Sequence, residues 1–269
     1  MMRRLLALLA LATICCAQAA HAGADSVYLE DLTWTELRDA LRAGTTTVIV
    51  PVGGTEQNGP HMALGKHNLR ARLLAGRIAV ALGRTVVAPV LAYVPEGSIA
   101  PPAAHMRFAG TISISDEAFR ATLESAARSF RQHGFRDVVF IGEHGGYQTQ
   151  LRAVSERLNR EWAATPARAH FISEYYRSAQ DEFAAALRAR GLTEAQIGSH
   201  AGSGDTSLLL ALDASMVRTD QLARAAREGL AAGVAGDPTA ANVALGQLGV
   251  DLIVARSVAA IRESLARRR

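Results

Sequence analysis

Three short stretches of the chain hold most of the side chains that could grip a divalent cation. Glu56, Asn58, His61 and His67 lie in the first, Glu143 and His144 in the second, His200 and Asp205 in the third. Carboxylate oxygen and imidazole nitrogen are the donors that a borderline cation accepts, and a catalytic site uses about three of them while leaving a position for water. Water on such a cation becomes a usable nucleophile near neutral pH. Each residue also has a plainer explanation: a loop histidine can be an ordinary hydrogen-bonding group, Glu143 or Asp205 can cap a helix, and His144-Gly145-Gly146 can be an anion nest. Spacing leaves these alternatives open, and it is the clustering that makes a metal site a candidate.

The elements that would carry these stretches alternate. Thr33-Trp34-Thr35-Glu36 is a capping box opening a helix to residue 42, with Gly44 placed to stop it. Residues 45–52 are a β-branched run apolar on both faces, as a strand between two helix layers requires. Helices are expected over 68–82, 116–133 (behind Ser115) and 148–162, with strands over 85–91, 137–141 and 169–173. Residues 177–191 read as helical, 199–204 as a glycine-rich loop, Asp205 as an N-cap for a helix to 212, and 239–269 as a largely helical tail weakened by Gly246 and Gly249. This order predicts an α/β fold, a three-layer α/β/α sandwich with a mostly parallel central sheet. In such sheets ligands bind outside the carboxyl ends of the strands, which puts the loops after Val52 and Ile141, with residues 199–205, at the crevice. The proline-bearing loop 94–110 is expected to cover that crevice, although no side chain in it names a ligand.

Composition excludes other classes. Of 269 residues 49% are hydrophobic and 20% charged, too apolar for a disordered chain. The net charge of +4 comes from arginines scattered along the sequence, with Lys66 as the single lysine, which argues against nucleic-acid binding. Neither a phosphate-binding loop, a dinucleotide fingerprint nor a nucleophile elbow occurs; Gly202-Ser203-Gly204 lacks the spacing of the last. Trp34 and Trp162 read as packing residues. Residues 1–22 have a basic leader, a short apolar core and Ala20-His21-Ala22, the pattern of a secretory signal peptide cleaved before Gly23. An uncleaved anchor is the alternative. Cleavage leaves one domain over 23–269 without Cys15 and Cys16, periplasmic or secreted, with no second stretch long enough to enter a membrane stably.

Several segments together resemble the creatininase family, the creatinine amidohydrolase-like hydrolases. The opening signature P-x-G-S-x-E-Q-H-G-P-H-L-P-x-x-T-D is similar to residues 51–67, with Glu56, Gln57, Gly59, Pro60 and His61 kept. H-x-x-F-x-G-T-I-S resembles His105 to Ser113, N-G-H-G-G-N resembles Gly142-Glu143-His144-Gly145-Gly146-Tyr147, and H-A-G-x-x-E-T-S resembles His200 to Ser207. Residues 233–239 are similar to G-V-x-G-D-P-T.

The resemblance implies a two-metal amidohydrolase acting on cyclic amides or related C–N bonds, and a tendency to form homo-oligomers. It also shows where this chain departs. Asn58 stands for a ligand histidine, His67 for a bridging aspartate, Asp205 for a glutamate, and Glu143 and Tyr147 for asparagines. An imidazole has one free nitrogen and cannot bridge two ions as a carboxylate does, so one ion per chain is expected, Zn2+ before Mn2+ or Fe2+. Glu56, His67 and His144 are the expected ligands, Asp205 or Glu143 the base, and His200 the group that stabilises or protonates the leaving side. The expected reaction is hydrolysis of a C–N bond in a small amide. A protein that binds a small molecule without turning it over is the competing reading.

Overall fold

The computed structural model describes residues 26–267. The signal-peptide expectation, with Cys15 and Cys16, falls outside the described residues.

Four parallel strands form one sheet in the order β2-β1-β3-β4: β1 Thr47–Val52, β2 Thr85–Val87, β3 Asp137–Gly142 and β4 Arg168–Phe171. The helices are α1 Trp34–Arg42, α2 Lys66–Leu82, α3 Asp116–Gln132, α4 Gln148–Glu161 and α5 Ser173–Arg177. They continue with α6 Phe183–Arg188, α7 Glu194–Ile197, α8 Ser203–Leu212, α9 Leu222–Glu228 and α10 Val243–Ala266.

Period-two alternation divides the core. Val48, Val50 and Val52 of β1, with Val138 and Phe140 of β3, pack on Phe119, Leu123, Leu151, Val154 and Leu158 of α3 and α4. The intervening Ile49, Val139 and Ile141 pack on Leu74 and Ile78 of α2 and on Val250 and Ile253 of α10. Both faces are covered, giving the expected three-layer arrangement, and all six residues of β1 are buried. Met62, Ala201, Leu209 and Val217 form a smaller cluster under the loops.

Local signals are realised as capping predicts: the Thr33/Glu36 box opens α1 and the Ser115 hydroxyl accepts from Ala118 N at α3. Strand β2 stops at Val87 rather than running to 91, since Pro89 supplies no ladder N–H, and Leu91 keeps an isolated bridge to Val52. Asp205 does not cap α8. Gly202 is its N-cap, and Asp205 in the first turn accepts from Ala201 N. By length and composition α10 could cross a bilayer, contrary to the expectation that no such stretch exists. Its buried face is instead packed on α8 and α2. Gly246 and Gly249 make that packing possible, because a Cβ at either would strike Ser207 of α8 or Leu208 and Phe183. Their cost in helix propensity is offset by close helix approach.

The chain leaves β1 for β2 on one side and returns to β3 on the other, so the strand order reverses between β1 and β3. Crevices open at such a point, and the residues after Val52 and after Gly142 meet there: Glu143 N donates to Val52 O at 3.0 Å.

Candidate metal centre

Glu56 stands at the middle of this crevice, fully buried, and its two oxygens face different neighbours. Oε2 lies 3.3 Å from His105 Nε2 and 3.6 Å from His144 Nε2. Oε1 lies 2.8 Å from His67 Nε2, 3.8 Å from His200 Nδ1 and 3.9 Å from Lys66 Nζ. Glu96, from the loop after β2, brings Oε2 to 3.8 Å from His144 Nε2.

Glu56, Glu96, His105 and His144 each offer an atom within 4.8 Å of the others. Glu56 Oε2 and both oxygens of Glu96 are buried without a hydrogen-bond partner. Buried carboxylate oxygens are costly when unsatisfied, and a divalent cation between them and the two imidazoles would satisfy all three. Electrostatics agree. Burial pushes His144 down to about 4 and lowers His105, so both rings are neutral near pH 7, as ligands must be. Burial would raise the Glu56 carboxyl, yet His67, Lys66 and His144 outweigh it and hold it far below the usual range. Burial and the adjacent Glu56 charge push Glu96 up to about 9, as two carboxyls sharing a buried space require. Gly146 N donates to His144 Nδ1 at 3.1 Å, which puts the ring proton on Nε2. Ligation through Nε2 would require that proton to move to Nδ1, giving up the hydrogen bond from Gly146.

His67 is turned differently from the other expected ligands. Its Nε2 meets Glu56 Oε1, and its Nδ1 lies 3.2 Å from Glu143 Oε2. Both ring nitrogens are occupied by carboxylates, so neither directs a lone pair at the cluster. Asn58, also buried, donates to Glu56 O at 2.9 Å and so braces the backbone of that residue. His61 is buried against Thr206 Oγ1 at 3.0 Å, and burial lowers it to about 4.

The two expected bases are both tied to cations. Asp205 accepts from Arg70 at 2.8 Å and lies 3.5 Å from Lys66 Nζ. Although burial opposes it, these charges hold the Asp205 carboxyl well below its usual range. Glu143 lies 2.9 Å from Arg70 Nε and accepts from Tyr175 Oη; there too Arg70 and His67 overcome burial and lower it. A base working near neutral pH needs the opposite shift. His200, which burial followed by Lys66 lowers to about 4, has Nε2 3.0 Å from Gln57 O, so that this N–H is fixed and Nδ1 faces Glu56.

Sequence reasoning passed over Glu96, and it treated His105 only as part of a motif, because both belong to the loop 94–110 in which no ligand was identified. Tyr147 was seen only as a replaced asparagine. Its ring is buried, and its hydroxyl lies 2.6 Å from Gly53 O while accepting from His144 N at 3.0 Å, which ties the loop after β1 to the loop after β3.

The family model described as creatininase (creatinine amidohydrolase) matches residues 30–261. A mycofactocin precursor peptide peptidase of Mycobacterium ulcerans (strain Agy99) is 31% identical over 244 residues, 79% of this chain and 83% of that protein. Among solved structures, a manganese creatininase superposes with a TM-score of 0.73 at 23% identity, covering 89% of this chain and 98% of that one. A creatininase variant of Zn-Zn type gives 0.73 at 24% identity over the same shares. The chain belongs to the creatininase family of metal-dependent amidohydrolases.

Proposed function

We propose that the mature protein is an exported hydrolase that cleaves a C–N bond in a small amide, with one divalent cation held by Glu56, Glu96, His105 and His144. The observation that carries this reading is the cluster itself: two buried carboxyls and two neutral imidazoles whose ligand atoms all lie within 4.8 Å of one another. The ligand set differs from the expected Glu56, His67 and His144: His67 is assigned the positioning of Glu56 and Glu143, and Glu96 and His105 take its place. Mixed carboxylate and imidazole donors suit Zn2+, with Mn2+ next.

When bound, such a cation supplies an activated water and polarises the amide carbonyl. The chain's own groups do the rest. Glu56 Oε2 brings negative charge to one side of the site, which Glu96 would join on giving up its proton to a bound cation, while Lys66 and Arg70 offset it on the other. Gln57 O accepts a hydrogen bond from His200 Nε2, which turns Nδ1 toward Glu56 as an acceptor that orients the substrate, since a ring pushed down to about 4 carries no proton near pH 7. Asp205 and Glu143, ion-paired as they are, hold Lys66, Arg70 and His67 in place instead of moving protons. Homo-oligomerisation and export to the periplasm or medium belong to the same reading, the latter resting on residues 1–22. Intact mass of exported material should begin at Gly23.

Elemental analysis and metal titration test the site directly. Glu96→Gln and His144→Ala should each lose at least tenfold in affinity for Zn2+, and His105→Ala somewhat less, whereas His67→Ala should retain more than any of them. Hydrolysis of an amide panel should disappear with the metal and return with it. If His67→Ala alone abolishes binding, the ligand assignment is wrong. Wild type that takes up tight Zn2+ yet cleaves no amide would favour a small-molecule binder.

A further inference from the structure

The side of Glu56 away from the ligand cluster already contains a cation. Lys66 lies at the first residue of α2 with its side chain completely buried, and its Nζ is 3.9 Å from Glu56 Oε1 and 3.5 Å from Asp205 Oδ2. It is the one lysine in a chain that carries 28 arginines. Where a planar, forked charge serves, this protein uses arginine, as Arg70 does when it joins Glu143 to Asp205. Between Glu56 and Asp205 it uses instead a compact point charge on a flexible stem, the side chain closest in shape to a bare ion.

We infer that Lys66 is the resident cation of this half of the site, occupying by covalent attachment the position on Glu56 Oε1 and Asp205 Oδ2 that a second metal ion would need. The inference rests on the reading that a metal is held on the Oε2 side, and it explains why one ion suffices. A carboxylate can serve two cations through its two oxygens, and here Oε1 faces the Lys66 ammonium and His67 while Oε2 faces His105 and His144 of the ligand cluster. A second divalent ion entering beside Lys66 would meet a positive charge within a few ångströms in a buried space, where repulsion is poorly screened. His67 and His200 also border Oε1. With Lys66 gone, Asp205 Oδ2, Glu56 Oε1 and His200 Nδ1 would form a carboxylate and imidazole set able to take an ion themselves.

The test uses Mn2+ as the probe, with equilibrium dialysis for stoichiometry and anomalous diffraction for position. Wild type should bind one equivalent, with its single peak on the Oε2 side among Glu96, His105 and His144. Lys66→Ala should rise to two equivalents, the added peak between Glu56 Oε1 and Asp205, and about 100 mM methylammonium should return it toward one by refilling the space. Lys66→Arg should stay at one. Two equivalents in wild type, or a folded Lys66→Ala that stays at one, would overturn the inference while leaving the metal site standing. Should Lys66→Ala not fold, the wild-type count and peak position still decide. No Mn2+ in wild type would remove the metal reading itself, and this inference with it.

Discussion

Arg70 joins Glu143 to Asp205: its Nη1 donates to Asp205 Oδ1 at 2.8 Å, and its Nε lies 2.9 Å from Glu143 Oε2, close enough to pair though not aligned for a hydrogen bond. The guanidinium is buried, and one carboxylate comes from the loop after β3 while the other comes from the first turn of α8. Those two segments lie 62 positions apart in the sequence, and Arg70 on α2 is the charge that lets both approach.

Arg70→Met should therefore destabilise the protein by about 3–5 kcal/mol, the cost of stranding buried charges without their partner. Urea unfolding at pH 7 measures it. Arg70→Lys should recover little, since one ammonium cannot reach both carboxylates with the geometry of the fork. A loss below about 1 kcal/mol would mean that Lys66 and His67 already neutralise the pair.

Much of the fold was legible because it depends on short-range rules. The β-branched run of β1, the capping box of α1 and the Ser115 cap of α3 each specify their element within a few residues. Residues 177–191 were less so: α5 and α6 are separated by a π-helical turn at Ser178–Glu182, which apolar periodicity does not encode. In the site, Glu56 and His144 could be found from motif position. Glu96 could not, because it lies in Val94-Pro95-Glu96-Gly97, a stretch that reads as a plain turn, and its importance comes from a fold that carries it to His144. The roles of Asp205 and Glu143 depend on which cation each meets, and Arg70 reaches them across 135 and 73 positions respectively, a relationship that no local pattern expresses.

Tyr147→Phe should separate the loops without emptying the core. The ring packs on Phe119 and would remain. The lost hydroxyl leaves His144 N without its partner, whereas Glu143 N keeps Val52 O. One unsatisfied N–H costs about 1–3 kcal/mol, so the melting temperature should fall by a few degrees. Affinity for Zn2+ should fall too, because the freed N–H belongs to a ligand residue. Loss of stability with unchanged metal affinity would confine Tyr147 to packing.

Stability in chelator should peak near pH 6.5, for reasons that oppose each other on the two sides. Burial lowers His61, His144 and His200 to about 4, so below an unfolded value near 6.5 the unfolded chain takes up protons that the folded chain refuses. Their contribution is complete above about pH 6.5 and is lost as the pH falls toward 4. Glu96 acts in the other sense. Its folded value of about 9 exceeds an unfolded value near 4.3, so its contribution is complete at low pH and is lost as the pH rises toward 9. Between about pH 4.5 and 6.5 up to three histidine protons oppose one from Glu96, and stability should climb by as much as ~3 kcal/mol per pH unit in mid-window. Above pH 6.5 only Glu96 remains, and stability should decline by about 1.4 kcal/mol per unit. Glu96→Gln has no carboxyl to ionise, so its alkaline descent should flatten while its acid limb stays. Urea midpoints from pH 4.5 to 9 in EDTA provide the profile. A maximum above pH 8, or an unchanged descent in Glu96→Gln, would show that Glu96 is already ionised in the metal-free fold and that its two oxygens have found partners.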